Sequence, residues 1–241
     1  MEQQAIFQRI KTMMIIKGLA MLSSILAVVI AMNKVFSVSA YVGNPNGLGS
    51  VLGSVGVIGL LAAIASIVAL VLIIIALNNW KNIANETVRN SVNLLFISAI
   101  MSAISVVFSL TGVLPTLAAI IMIVVFILDT IAYSQLKNSS SLTDAERDGC
   151  KKLFLSQMVL LAGSIISVII LINMASSIAE MNATRFGRHV ADITIIGSIK
   201  SSIIWGGIIS ISATAIYYFL QIKGWGILAN AQSNKEIANQ E

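Results

Sequence analysis

Residues 51–77 read VLGSVGVIGLLAAIASIVALVLIIIAL, twenty-seven positions without a charged side chain or a proline. As a helix rising 1.5 Å per residue this stretch is ~40 Å long, more than the ~30 Å of hydrocarbon in a bilayer. A helix of that length on a soluble protein keeps a polar face for water. This one has none, so the solvent it fits is lipid.

The same pattern extends outward from it in both directions. Apolar blocks cover approximately 13–32, 92–110, 113–133, 153–174 and 199–220 as well, so that six blocks take up more than half of the 241 residues. They are continuously apolar rather than alternating, which predicts helices and not a β-barrel. Composition agrees: 57% of residues are hydrophobic and 10% charged, with a mean hydropathy of +0.94, where soluble domains average roughly 45–50% and about 25%. A soluble globular domain is excluded. A disordered chain is excluded too, because disorder needs low hydrophobicity and high net charge. The expected fold class is all-α, a polytopic transmembrane helical bundle of about six spans arranged as three helical hairpins, residues 1–241 forming a single integral membrane domain.

Charge placement predicts the orientation. With the N-terminus inside, the inner segments hold eleven Lys and Arg (Arg9, Lys11, Lys17, Lys81, Arg89, Lys137, Arg147, Lys151, Lys152, Lys223, Lys235), against Lys34, Arg185, Arg188 and Lys200 outside. That bias predicts N-in/C-in. Trp80, Tyr133, Tyr217, Tyr218 and Trp225 fall at the same inner ends, where aromatic belts form, and are expected to anchor the helices at the interface. The block 13–32 is longer than the roughly 7–15 apolar residues of a signal peptide, so it is read as an uncleaved first span despite the cleavage-like Val38-Ser39-Ala40. The +5 formal charge thus belongs to topology and not to a nucleic-acid footprint.

Internal similarity is weak: Leu95-Phe96-Ile97-Ser98 matches Leu153-Phe154-Leu155-Ser156, as a triplicated hairpin would. Thr111-Gly112 leaves the third and fourth spans almost no connection, which makes them antiparallel neighbours. Thr143 followed by Glu146 is a capping-box signature that predicts a helix start. The segment from Ala175 to Asp192 is expected to be the largest outer loop; its Asn182-Ala183-Thr184 fits a glycosylation sequon, a triplet common by chance.

Three features are candidates for function. Gly49, Gly53, Gly56 and Ala63 recur at helical spacing on one face of the second span, which lets another backbone approach closely, either within the chain or on a partner. Ser98, Ser102, Ser105 and Ser109 form a second stripe on the third span, extended by Ser91 towards the inner end. Such a row either lines a polar path or packs against another helix. Lys17 and Asp129 fall at one inner level and are expected to pair between the first and fourth spans.

Catalysis finds no support. One cysteine (Cys150) and one histidine (His189) on opposite predicted sides exclude an intrachain disulfide, a Cys/His metal cage and a Cys–His dyad. Asp144, Glu146 and Asp148 alternate with Arg147 at a helix start, which reads as capping rather than a Mg²⁺ site. No catalytic residues, metal or cofactor are expected. The hydropathy pattern is similar to that of many small multi-pass prokaryotic membrane proteins; that likeness implies a place in the cell membrane, inner or plasma, and no activity. The expected role is a non-enzymatic structural or accessory subunit, its partners the lipid bilayer and either other membrane proteins or a second copy, without nucleic acid. The alternative is a small transporter or channel with its path along the serine face.

Overall fold

A computed structural model describes residues 2–38, 45–111, 115–184 and 192–238. Among them the chain is all helix: α1 (Glu2–Val38), α2 (Pro45–Ile83), α3 (Glu86–Thr111), α4 (Pro115–Lys137), α5 (Asp144–Thr184) and α6 (Asp192–Ala238). Each of the six contains a segment long and apolar enough to cross a membrane.

The helices outrun their apolar blocks. α1 begins eleven residues before the block at 13–32, and α6 continues past 220 through Gln221, Lys223 and Lys235. The outer loop expected from Ala175 is helix as far as Thr184, and helix resumes at Asp192. Hydropathy marks where lipid ends. It does not mark where helix ends, because Ala, Glu and Met remain good helix formers in water. Arg185, Arg188 and His189 lie outside the described residues, and α5 runs through the sequon.

The chain falls into two compact units. The first comprises Met1–Ala20, Ala63–Val159 and Ile216–Glu241; the second comprises Met21–Ala62 and Leu160–Ala215. The first unit holds segments of all six helices and a continuous core. Phe7 and Ile10 of α1, Leu77 and Trp80 of α2, Val92 of α3, Leu136 of α4, Leu153 of α5, and Trp225 and Leu228 of α6 all belong to it. At its centre the Phe7 and Trp80 rings meet edge to face at 4.8 Å, and Trp225 lies 5.8 Å from each.

This core corrects the expected aromatic belt. Trp80 and Trp225 are 2% and 1% exposed, and Tyr133 and Tyr218 are also buried. They close the bundle interior instead of anchoring it in headgroups. Position along a helix, which the sequence gives, does not tell which way a ring faces. The edge-to-face geometry is worth about 0.5–1.5 kcal/mol per pair beyond burial.

Connections in this unit are tight. α2 and α3 are separated by two residues, and Arg89 donates from Nε to the Lys81 carbonyl at 3.3 Å, satisfying a C-terminal acceptor of α2. Close approach between α5 and α6 requires glycine: a Cβ on Gly224 would stand 2.7 Å from the Leu153 side chain and 2.9 Å from the Gly149 carbonyl. In the second unit, a Cβ on Gly207 of α6 would sit 2.6 Å from Val29 of α1.

Candidate functional site

The serine stripe of α3 lies against α4. Ser91 donates to Gln135 Oε1 at 2.9 Å, Ser98 donates to Asp129 Oδ1, and Ser105 donates to the Ala118 carbonyl at 3.0 Å. Numbers rise along α3 as they fall along α4, so the two helices pack antiparallel. Ser91, Ser98, Ser102 and Ser105 are buried, whereas Ser109 is exposed and bonds back to the Ser105 carbonyl at 2.9 Å. The hydroxyls of Ser91, Ser98, Ser105 and Ser109 are used within the protein. Interhelical hydrogen bonds of this kind average roughly 0.6 kcal/mol and reach about 1–2 kcal/mol in lipid, which suits a fastener between apolar helices.

Asp129 joins the stripe to a larger polar core in the same unit. Its carboxylate takes the Ser98 hydroxyl and feels the charge of Lys17 on α1. One turn along α4, Tyr133 faces Gln221 of α6. That glutamine donates to Ser156 Oγ at 2.8 Å and accepts the Trp225 indole N–H at 3.1 Å. Tyr217 of α6 faces Gln157 of α5. Ser156, Gln157 and Gln221 are at most 1% exposed, so each stays inside only because it has partners. Among the described residues the exceptions are single atoms: Trp80 Nε1, Thr130 Oγ1 and Gln157 Nε2 are buried without a partner.

Sequence reasoning missed these glutamines, although a signal for them exists. Tyr218, Gln221, Trp225, Leu228, Gln232 and Lys235 step by three, four, three, four and three, an inward stripe written in mixed chemistry. An apolar-only search breaks it at each glutamine.

Where α5 starts, the capping box forms as its two residues require. Thr143 donates to Glu146 Oε2 from its backbone N–H and its hydroxyl, both at 2.8 Å, and accepts the Glu146 N–H at 3.3 Å. Glu146 is 1% exposed, and α6 completes its shell: Gln232 Nε2 donates to Oε1, and Lys235 Nζ reaches both carboxylate oxygens at 2.9 Å. Asp144, two residues away, is exposed and pairs with Arg147 at 3.3 Å. A cleft of about 100 Å³ adjoins the clamp, walled by Trp80, Asn85, Ser141, Cys150 and Gln232. That volume holds roughly three waters at about 30 Å³ each. Among the described residues no three His, Cys, Asp or Glu side chains gather to hold a metal ion.

Two glycines of the α2 face differ from the other described glycines. Gly49 and Gly53 lie on α2, but their surroundings are outside the described residues. Ala63 is half-buried. A Cβ added to Gly56 or Gly59 meets nothing within 4 Å, while one added to Gly18, Gly149, Gly163, Gly207 or Gly224 meets a neighbour at 3.0 Å or less. Around it Val57, Leu60, Leu61 and Ile64 are more than half exposed.

Among the described residues six helices are long and apolar enough to cross a membrane, and segments of all six share the core of the first unit, an arrangement compatible with a multi-pass membrane protein. Comparison of the chain with protein-family models, curated proteins and solved structures returns no match.

Proposed function

We propose that this chain is a multi-pass integral membrane protein of the cell membrane, N-in/C-in, that acts as a non-catalytic subunit by packing against another membrane protein or a second copy. The observation that carries the reading is the open pair Gly56 and Gly59. A glycine in a helix costs about 1 kcal/mol relative to alanine, and at Gly18, Gly149, Gly163, Gly207 and Gly224 that cost accompanies a close contact. At Gly56 and Gly59 the described residues supply no such contact. A surface of small residues edged by exposed Val57, Leu60 and Leu61 suits a helix brought by another molecule, since packing in lipid depends on close backbone approach. The polar core supports the same reading, because its hydroxyls, amides and charges mostly engage one another.

The test is the size of the complex extracted from native membranes in a lipid-retaining polymer. The chain is expected in a species larger than its monomer, and Gly56→Leu with Gly59→Leu is expected to release the monomer without lowering its thermal midpoint. A wild-type monomer free of any partner overturns the reading.

A further inference from the structure

The second unit contains a groove that neither the polar core nor the α2 face uses. It has a volume of about 430 Å³ and lies among α1, α5 and α6, walled by Val28 and Val29, by Ser167 and Ile170, and by Ile203 and Gly206. Ser167 and Ser210 share a hydroxyl contact at 3.4 Å, and the remaining walls are mainly aliphatic.

Its size selects the occupant. The groove extends along α6 from Ser202 to Ser210, eight residues or ~12 Å at helical rise. Its mean cross-section is therefore about 36 Å². A helix about 10 Å across presents roughly 80 Å², so a partner helix cannot enter. A methylene chain whose carbons keep about 4 Å from their neighbours needs roughly 20 Å². One such chain fits, with room for a kink.

The surroundings supply the same chemistry. Leu26 and Ile30 of α1, Val168 and Ile172 of α5, and Trp205 and Ile208 of α6 flank the groove and are 47–60% exposed. In the bilayer such a surface faces hydrocarbon tails. Gly206 keeps the groove open: a Cβ there already stands 3.4 Å from Ile170 Cγ2.

We infer that the groove among α1, α5 and α6 is a binding site for one acyl chain of a membrane phospholipid. The inference rests on the membrane reading alone and not on the partner reading at Gly56. The full chain is reconstituted in nanodiscs of phosphatidylcholine carrying a diazirine midway along one acyl chain, irradiated, and mapped by peptide mass spectrometry. Labels are expected on Val29, Ile170 and Ile203 at least fivefold above those on Ile120 and Ile123, exposed positions of α4 outside the groove. Gly206→Leu fills the groove and is expected to abolish that excess while α4 labelling stays. Val28→Trp, at a position already 47% exposed, narrows the groove from its mouth, and it is expected to act in the same direction. Equal labelling of groove and α4, or an excess that survives both substitutions, overturns the site. A chain that labels nowhere is not in the bilayer, and that outcome refutes the membrane reading as well.

Discussion

Replacing Glu146 tests whether the clamp between α5 and α6 holds the first unit together. Glu146→Ala removes the acceptor of Gln232, a side chain 8% exposed, and an orphaned buried donor costs about 1–3 kcal/mol. It also removes the reciprocal half of the capping box, worth about 0.5–1 kcal/mol on the scale of N-cap losses. Lys235 is 41% exposed, so its ion pair is screened and adds at most about 1 kcal/mol. The expected loss is roughly 3 kcal/mol, a hundredfold in the folding equilibrium. Glu146→Gln keeps an acceptor for Thr143 and loses the charge; about half that loss is expected. Asp144→Ala removes an exposed carboxylate on the same helical turn and should leave the midpoint unmoved. Unfolding in mixed dodecylmaltoside–SDS micelles follows this directly by tryptophan fluorescence, since Trp80 and Trp225 sit in the adjoining core; a Trp205→Phe background removes the exposed indole. If Asp144→Ala destabilises as much as Glu146→Ala, the clamp is not the reason, and helix-end charge alone governs α5.

The polar core gives a second test: a double-mutant cycle of Lys17→Met and Asp129→Asn in the same assay should show a coupling of about 1 kcal/mol, as interacting neighbours do. Additive losses would separate the two residues. Gly207→Val places a branched side chain where Val29 already stands within 2.6 Å of a Cβ position, and a loss of about 1–3 kcal/mol is expected from overpacking; an unchanged thermal midpoint would refute the close α1–α6 approach. Liposomes carrying the purified chain should pass K⁺, Na⁺ and glycerol no faster than empty ones, because Ser91, Ser98 and Ser105 of α3 are bonded to α4. Flux lost on Ser102→Leu and Ser105→Leu would restore a path along that face.

Much of this organisation was legible in the sequence, and particular residues show why. Six apolar blocks translate into helices because lipid leaves the backbone no other partner. Thr143 and Glu146 announce a helix start because capping is local chemistry, settled within four residues. The serine stripe indicates a shared face, but only contact with Asp129, Gln135 and Ala118 shows what that face meets. Trp80 and Trp225 were read by depth alone, and depth does not distinguish a ring in the headgroups from one turned into a core. Gln221 and Gln232 escaped because inward-facing glutamine contradicts an apolar rule that holds only for unpartnered groups. The α5–α6 connection looked longer than it is because hydropathy falls at Met174 before helicity does.

The most direct test of the account places a photoreactive benzoylphenylalanine at Val57, beside the open glycines, and at Ile123 of α4 as a second exposed position, in native membranes. Irradiation at Val57 is expected to give a discrete protein adduct of higher mass that disappears with Gly56→Leu and Gly59→Leu, while Ile123 gives only lipid adducts. Lipid adducts alone at both positions would contradict the claim that α2 receives a partner.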